Sequence, residues 1–227
     1  MNKNVIICIG TIGAPTFDRC KKIINSLALD HPRVSKVVII KNKTPQSAWL
    51  NEMRVKSRGM KWCIQIDEDM YLYPNSINKL IGFAEKKEKE GIKILNASSL
   101  LYDLFLESKV GSLKIWSVEP LQMLEFKDVL GGDRDFAKRA KKLGYNNVET
   151  RLVLGEHDSA PTPEVAFKKY FEYIQKMRKF SDEKGAKEFS NFLKRKWLKD
   201  KTLISKKAYD GSRKGLQSIM INKSKRK

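Results

Sequence analysis

The sequence predicts an α/β fold, a mixed β-sheet flanked by helices, with a basic helical C-terminal extension. Three observations carry this. Short apolar runs at residues 5–9, 37–40 and 62–66 alternate with helix-patterned segments, and strand–helix–strand units with short connections call for a parallel sheet with right-handed crossovers. The alternation weakens after residue 91, so the second half is expected to be mixed rather than purely parallel. From residue 160 onward the chain carries twenty Lys/Arg against seven Asp/Glu. The expected organisation is one domain over residues 1–159 and a basic helical extension over 160–227.

Val5, Ile6, Ile7, Cys8 and Ile9 form a continuous apolar run, as in a strand buried on both faces. Residues 10–15 break it, and Thr16 is placed to cap a helix in which Phe17, Cys20, Ile24 and Leu27 share a face. His31-Pro32 ends that unit. Residues 37–40 predict a second buried strand, a polar turn through Pro45 follows, and a helix is expected over 47–56. Ser57-Arg58-Gly59 closes it ahead of the third strand. Past an acidic cluster, Ile77, Leu80, Ile81 and Ala84 predict a helix over 76–89, ended at Gly91. Residues 92–101 and 109–116 predict strands, the second within a hairpin turning at Gly111-Ser112. Residues 121–126 are ambiguous. A stretch from Val129 and Leu130 through Gly132-Asp133 leads into a helix over 136–143, and 148–154 predicts a last strand. Thr162-Pro163 is a good helix start, with proline at the first helical position. Phe167, Tyr170, Phe171, Ile174 and Met177 form its stripe, and Phe189, Phe192, Leu193 and Trp197 form the next. Beyond Asp200 the pattern fades, and residues 222–227 are expected to be disordered.

With 227 residues the chain can hold one α/β domain with a substantial core, or a smaller domain plus an appendage. The net charge is +20, of which +13 lies from residue 160 onward. Such a tail suits an anionic partner (a membrane surface, nucleic acid or a polyanionic acceptor) or is simply a solvated lysine-rich surface. Cys8, Cys20 and Cys63 are odd in number, lack CxxC spacing and sit in apolar context. They read as buried thiols of a reducing compartment, not as a disulfide framework or zinc site. The N-terminal apolar run is too short for a signal peptide, and no run reaches the ~18 apolar residues of a spanning helix. The expected location is cytoplasmic, with peripheral membrane contact open to the tail.

Three places could carry chemistry. Asp67-Glu68-Asp69 follows directly on an apolar strand. Two carboxylates two positions apart on extended chain point the same way, and ligands of open α/β sheets bind outside the carboxyl edge. Oxygen ligands there suit Mg²⁺ or Mn²⁺, which also bind phosphate oxygens. The plainer reading is a solvated acidic turn. Asp133, in a glycine-introduced turn at a helix start, could be an exposed general base; helix capping by Asp133 or Asp135 is the cheaper reading. His157, between Glu156 and Asp158 at a strand's end, could complete a metal site or be only a polar-turn residue.

The order and local contexts of these three places resemble a GT-A glycosyltransferase, most like the family 2 inverting enzymes. Ile66-Asp67-Glu68-Asp69-Met70-Tyr71-Leu72-Tyr73-Pro74-Asn75-Ser76-Ile77 is similar to that family's strand, its Asp-x-Asp and the Pro and Ser ahead of a helix. Gly132-Asp133-Arg134-Asp135, with Arg139 in the helix and Gly144-Tyr145 closing it, resembles its second motif. Residues 7–15 and the helix ending Ser26-Leu27 look like its first strand, loop and helix, and the likeness covers roughly residues 5–157. Gly132 stands where the family usually has glutamate, and Asn42 where an aspartate often meets the base. The stretch between Asp69 and Asp133 is short for the family, which implies a reduced acceptor site or one completed by the tail or a partner.

The resemblance implies a Rossmann-like nucleotide-diphospho-sugar transferase, hexosyltransferase-like, that moves a sugar with inversion to an acceptor hydroxyl. It implies Thr11 and Asn42 lining the nucleotide of a UDP- or GDP-sugar, Asp67 near the ribose or sugar, Asp69 and His157 on a Mn²⁺ or Mg²⁺ ion, and Asp133 as the base. The acceptor would be a glycan, a protein or a lipid-linked molecule. Two rival readings stand beside it. A nucleotidyltransferase would also use paired carboxylates and a metal. A nucleic-acid-binding module would use the basic tail with Phe180, Phe189, Phe192 and Trp197 as stacking residues.

Overall fold

The computed structural model describes residues 3–129 and 131–218; Leu130 and the basic end at 222–227 lie outside the described residues. In chain order the elements are β1 (Val5–Thr11), α1 (Phe17–Ala28), β2 (Val34–Lys41), α2 (Gln46–Lys56), β3 (Trp62–Asp67), β4 (Met70–Leu72), α3 (Ser76–Lys89), β5 (Ile94–Asp103), β6 (Ser108–Ser117), α4 (Val118–Met123), α5 (Gly132–Lys142) and β7 (Asn146–His157). Three helices follow: α6 (Pro163–Lys179), α7 (Glu183–Asp200) and α8 (Leu203–Gln217). The chain divides into two compact units between Asp158 and Ser159.

The first unit is built on a seven-stranded sheet in the order β2-β1-β3-β6-β5-β7-β4. β1 pairs in parallel with β2 and β3, while β6 runs antiparallel between β3 and β5. β7 is parallel to β5, and β4 closes the far edge antiparallel to β7. The sheet is mixed because the second half enters through a hairpin rather than a helical crossover.

The continuous apolar run of β1 is explained by burial on both faces. Val5, Ile7 and Ile9 join Cys20 and Ile24 of α1 and Ile77, Leu80, Ile81 and Ala84 of α3. Ile6 and Cys8 face the other way and join Trp49, Leu50 and Met53 of α2 with Leu121, Phe136 and Ala140. On that side Phe126 stacks on Phe136 at 4.0 Å, and both meet Trp116 edge-on, at 5.7 and 6.0 Å. Each large apolar side chain buried in this way contributes about 1.5–3 kcal/mol. All three cysteines are buried free thiols.

The structure departs from the sequence reading at several elements. β2 is an edge strand, its middle only half-buried, so its apolar run does not mark a doubly buried strand. Thr16 has helical backbone angles and makes no side-chain cap bond. The hairpin turns at residues 104–107, not at Gly111-Ser112. Asp103 makes that turn by accepting from the backbone N–H of Phe105 and Leu106 at 3.0 and 2.7 Å. Gly111 lies inside β6, opposite Leu100 where the ladder shifts register, a position at which glycine marks a bulge. Residues 118–123 form the short helix α4, and residues 70–72, given no element in the sequence reading, form β4.

In the second unit α6 starts as its sequence indicates, with the Thr162 hydroxyl accepting from Val165 N–H. Tyr170, Tyr173, Phe189 and Phe192 pack ring against ring between α6 and α7, with neighbouring centroids 4.9–5.9 Å apart. α8 had no visible stripe because the face it buries is small: Ala208, Gly211, Ser212 and Gly215. A Cβ at Gly211 would strike the Phe167 carbonyl oxygen, so α8 packs on α6 backbone to backbone. Among the described residues no helix is long and apolar enough to cross a membrane.

Candidate functional site

Sheet topology gathers the candidate residues at one edge. β1, β2 and β3 are parallel and end together, with Gly10 opposite Asp67 and Thr11 opposite Lys41. β5 and β7 end at the same edge, since both run antiparallel to β6, and Asp103 lies opposite His157. β4 returns along β7 with Met70 opposite His157. Asp67, Asp69, Asp103 and His157 therefore meet although they lie far apart in sequence.

Asp67 and Asp69 do not sit on one extended strand. Asp67 ends β3, a turn spans residues 68–69, and β4 begins at Met70. The three carboxylates take three directions. Glu68 points back to the loop after β1, accepting from the Thr11 hydroxyl and from the backbone N–H of Ile12 and Ala14 at 3.2 and 2.9 Å. It therefore shapes the Thr11 loop. Asn42, in the left-handed region at φ 54°, donates its backbone N–H to the Thr11 carbonyl at 2.8 Å and extends the same rim.

Asp69 faces His157, with Oδ2 3.1 Å from Nε2. The other ring nitrogen, Nδ1, lies 2.9 Å from Asp103 Oδ2. Asp103 is 1% exposed, and both its oxygens are engaged: one takes the two turn N–H groups, the other faces the imidazole. A carboxylate so placed keeps the proton on Nδ1 and turns the Nε2 lone pair outward. With the proton on Nδ1, Nε2 and the Asp69 carboxylate are two acceptors 3.1 Å apart, an arrangement that suits a cation between them.

Asp67 is half-buried. Burial and, after it, the Asp69 charge push its carboxyl up to about 6, opposed by His157, a hydrogen bond from Gln65 and Lys114. Gln65 is itself held by the Trp116 indole N–H, which donates to its Oε1 at 3.0 Å. The Trp116 bond thus holds the Gln65 amide on the face of β3 that Asp67 shares, two residues on. Beneath the same turn, the Cys20 thiol lies 3.6 Å from the Asp67 carbonyl oxygen. Burial and the nearby acids push that thiol up to about 12, so it stays neutral.

Asp133 stands apart from the Asp69–His157 pair, at the start of α5. Neither Asp133 nor Asp135 caps that helix, whose N-cap is Gly131 in the left-handed region with no side-chain cap bond. Asp135 binds Arg139 at 2.8 Å, while Asp133 lies 3.9 Å from Lys114 Nζ. Both Lys114 and Asp133 line a cavity of about 180 Å³ between α5 and the sheet, with Asn96, Ser98, Trp116 and Glu149. Lys114 contacts Asp133, and its charge also weakly favours ionised Asp67.

Among the described residues no group of three or more His, Cys, Asp or Glu side chains is arranged to hold a metal ion. Two donors, a carboxylate and an imidazole, nonetheless fit a cation whose remaining positions go to phosphate oxygens and water, as Mg²⁺ sites usually do. Sequence reasoning missed Glu68 as the brace of the Thr11 loop, and Gln65, Asp103 and Lys114 altogether. The one available signal was for Asp103, a lone aspartate at a strand's end before an apolar turn.

No protein-family model matches the chain, and no curated protein matches it. Solved structures do. A mannosyltransferase from Pyrobaculum calidifontis, solved with GDP-Man and Mn²⁺, matches over 78% of this chain with a TM-score of 0.54 and 13% identity. This chain spans 63% of that protein's length. Glucosyl-3-phosphoglycerate synthase from Mycobacterium tuberculosis, solved with Mn²⁺, UDP and phosphoglyceric acid, matches over 76% of each chain with a TM-score of 0.51 and 11% identity. The mixed sheet and its flanking helices are those of the GT-A glycosyltransferase fold.

Proposed function

We propose that the protein is a glycosyltransferase that moves a sugar from a nucleotide-diphosphate donor to an acceptor hydroxyl, with inversion. The observation that carries this reading is the Asp69–His157 pair braced by Asp103 at the carboxyl edge of a GT-A sheet. The solved mannosyltransferase of this fold carries GDP-Man, and the glucosyl-3-phosphoglycerate synthase carries UDP. Asp69 and His157 would hold Mn²⁺ or Mg²⁺, whose chemistry when bound is neutralisation of the diphosphate leaving group.

The protein's own residues supply the rest. The loop after β1, whose backbone N–H groups are held by Glu68 and the Thr11 hydroxyl, forms with Asn42 the wall for the nucleotide. Asp67, fixed by Gln65, accepts from a hydroxyl of the ribose or sugar. Asp133 takes the proton of the attacking acceptor hydroxyl, and Lys114, 3.9 Å away, orients that carboxylate. The acceptor hydroxyl enters from the cavity under α5. Inversion follows because the acceptor oxygen, deprotonated by this one base, attacks the sugar carbon opposite the departing nucleotide diphosphate.

A thermal-shift screen of UDP- and GDP-sugars, with and without Mn²⁺, tests this reading. A metal-dependent rise in Tm with one nucleotide sugar is expected. A rise with nucleoside triphosphates alone, with pyrophosphate released, would replace it by nucleotidyl transfer. Of the four rings the nucleic-acid reading would use, Phe189, Phe192 and Trp197 are engaged in ring contacts inside the second unit, while Phe180 is exposed.

A further inference from the structure

The solvent face of α7 is organised in a way that the transferase reading does not use. Lys184, Lys187, Lys194, Arg195 and Lys199 are all exposed and, at 3.6 residues per turn, they share one arc of the helix. Glu188, 3.9 Å from Lys184, is the only acid on that arc. The opposite arc holds Ala186, Ser190 and Leu193, which are buried. The stripe is therefore strongly cationic and lies opposite a face already spent on packing.

Two exposed leucines break the polar surface near its C-terminal end. Leu198, within the basic arc, is 57% exposed, and Leu203, just beyond Lys199 and Lys201 at the start of α8, is 59% exposed. Neighbouring large side chains of this unit, Trp197 and Tyr209, are by contrast stacked at 5.7 Å. Leucines left in water among lysines match a surface that offers anionic headgroups with an apolar layer beneath them. Nucleic acid offers the charge but is held through stacking rings; on α7 Phe189, Phe192 and Trp197 are half-buried in ring contacts, and the exposed rings of this unit, Tyr173 and Phe180, belong to α6 and its C-cap rather than to the basic arc. The sequence adds four more cations at Lys223, Lys225, Arg226 and Lys227.

We propose that the α7 stripe, with Leu198 and Leu203, is a docking surface for an anionic lipid bilayer. Cations of the stripe meet headgroup phosphates, and the two leucines enter the headgroup–acyl boundary. This inference stands on the second unit alone and is independent of the transferase reading.

The test is co-sedimentation of the full chain with vesicles of phosphatidylcholine alone or of phosphatidylcholine and phosphatidylglycerol in equal parts. Binding to the anionic vesicles only is expected. Removing a basic residue near the surface weakens partitioning about five-fold, so Lys194→Gln/Arg195→Gln/Lys199→Gln should weaken it by about two orders of magnitude. A control of equal charge change on the first unit, Lys79→Gln/Lys86→Gln/Lys141→Gln, should keep nearly all of it. Leu198→Ser/Leu203→Ser should abolish the binding that survives high salt. All of these positions are exposed, so unchanged thermal unfolding is the check on folding. No binding by the unaltered chain overturns the proposal. So does an equal loss in the control, which would mark a net-charge effect, and so does a preference for an oligonucleotide that strips the chain from the vesicles.

Discussion

Asp103→Asn is the sharpest probe of the Asp69–His157 pair, because it changes one proton and almost no volume. The asparagine carbonyl oxygen can keep both turn bonds, to Phe105 and Leu106 N–H. Its NH₂ group then faces His157 Nδ1, where a carboxylate oxygen lies 2.9 Å away in the native protein. An NH₂ donor forces Nδ1 to accept, so the imidazole proton moves to Nε2 and the lone pair aimed at Asp69 is lost. Loss of a carboxylate behind a metal-binding histidine typically costs 10–100-fold in metal affinity, about 1.4–2.8 kcal/mol. Folding stability should fall by no more than the ~1.5–3 kcal/mol of a hydrogen bond to a charged group. The assay is titration of Mn²⁺ in the presence of UDP or GDP, with free Mn²⁺ followed by electron paramagnetic resonance and His157→Ala as the reference. If Asp103→Asn binds Mn²⁺ like the unaltered protein while His157→Ala does not, the tautomer argument is wrong. If neither variant loses affinity, the metal assignment itself falls.

Three further outcomes are expected. Asp133→Asn should lower transfer by about 10²–10⁴-fold while leaving Mn²⁺ and donor binding intact; full activity in that variant would remove Asp133 as the base. Gly155→Ala should destabilise the fold by roughly 1–3 kcal/mol in denaturant unfolding and weaken Mn²⁺ binding with it, because a Cβ there would come within 2.5 Å of the Tyr71 carbonyl oxygen; unchanged unfolding would show that β4 is not held as described. Glu85 binds Arg33 at 2.5 Å, and that bond lowers its carboxyl pKa. A pKa lowered in the folded state stabilises above the unfolded value, near ~4.3, and the gain disappears as pH falls through the folded value. The stability gap between the native protein and Glu85→Gln should therefore close on acidification, and a gap that persists to the lowest pH would refute the linkage.

The alternation of apolar runs and helix-patterned segments was enough to read the first five elements and the α/β class, because β1 and β3 are continuous apolar runs buried on both faces and α1 shows a clear apolar stripe. What escaped was whatever depends on neighbours. β2 has the composition of a central strand but lies at an edge. Residues 104–107 form the hairpin turn because of one Asp103 side chain, whereas Gly111-Ser112 looks like a turn and sits in a ladder. α8 presents a small-residue face whose meaning appears only against the α6 backbone. At the site, Asp67, Asp69 and His157 could be picked out as acids and a histidine at strand ends. Gln65, Glu68 and Lys114 could not, since an amide in an apolar strand, the middle acid of three and a lysine in a hairpin acquire a role only through contacts made across the sheet.

β4 has only three residues, yet Asp69 and His157 face each other through it. Met70 pairs with His157 and Leu72 with Gly155, while the Asp69 carbonyl accepts from Asp158 N–H at 2.8 Å. The separation of the two donors is thus a matter of register, which moves only in whole residues and exchanges faces at each step. Substitutions around the pair can retune charge and access without displacing it. One residue added to or lost from 68–72 or 154–158 would dissolve it. Gly155 apart, variation at this edge is therefore constrained more in length than in composition, and an alignment with any relative that keeps the pair should be gapless across both segments.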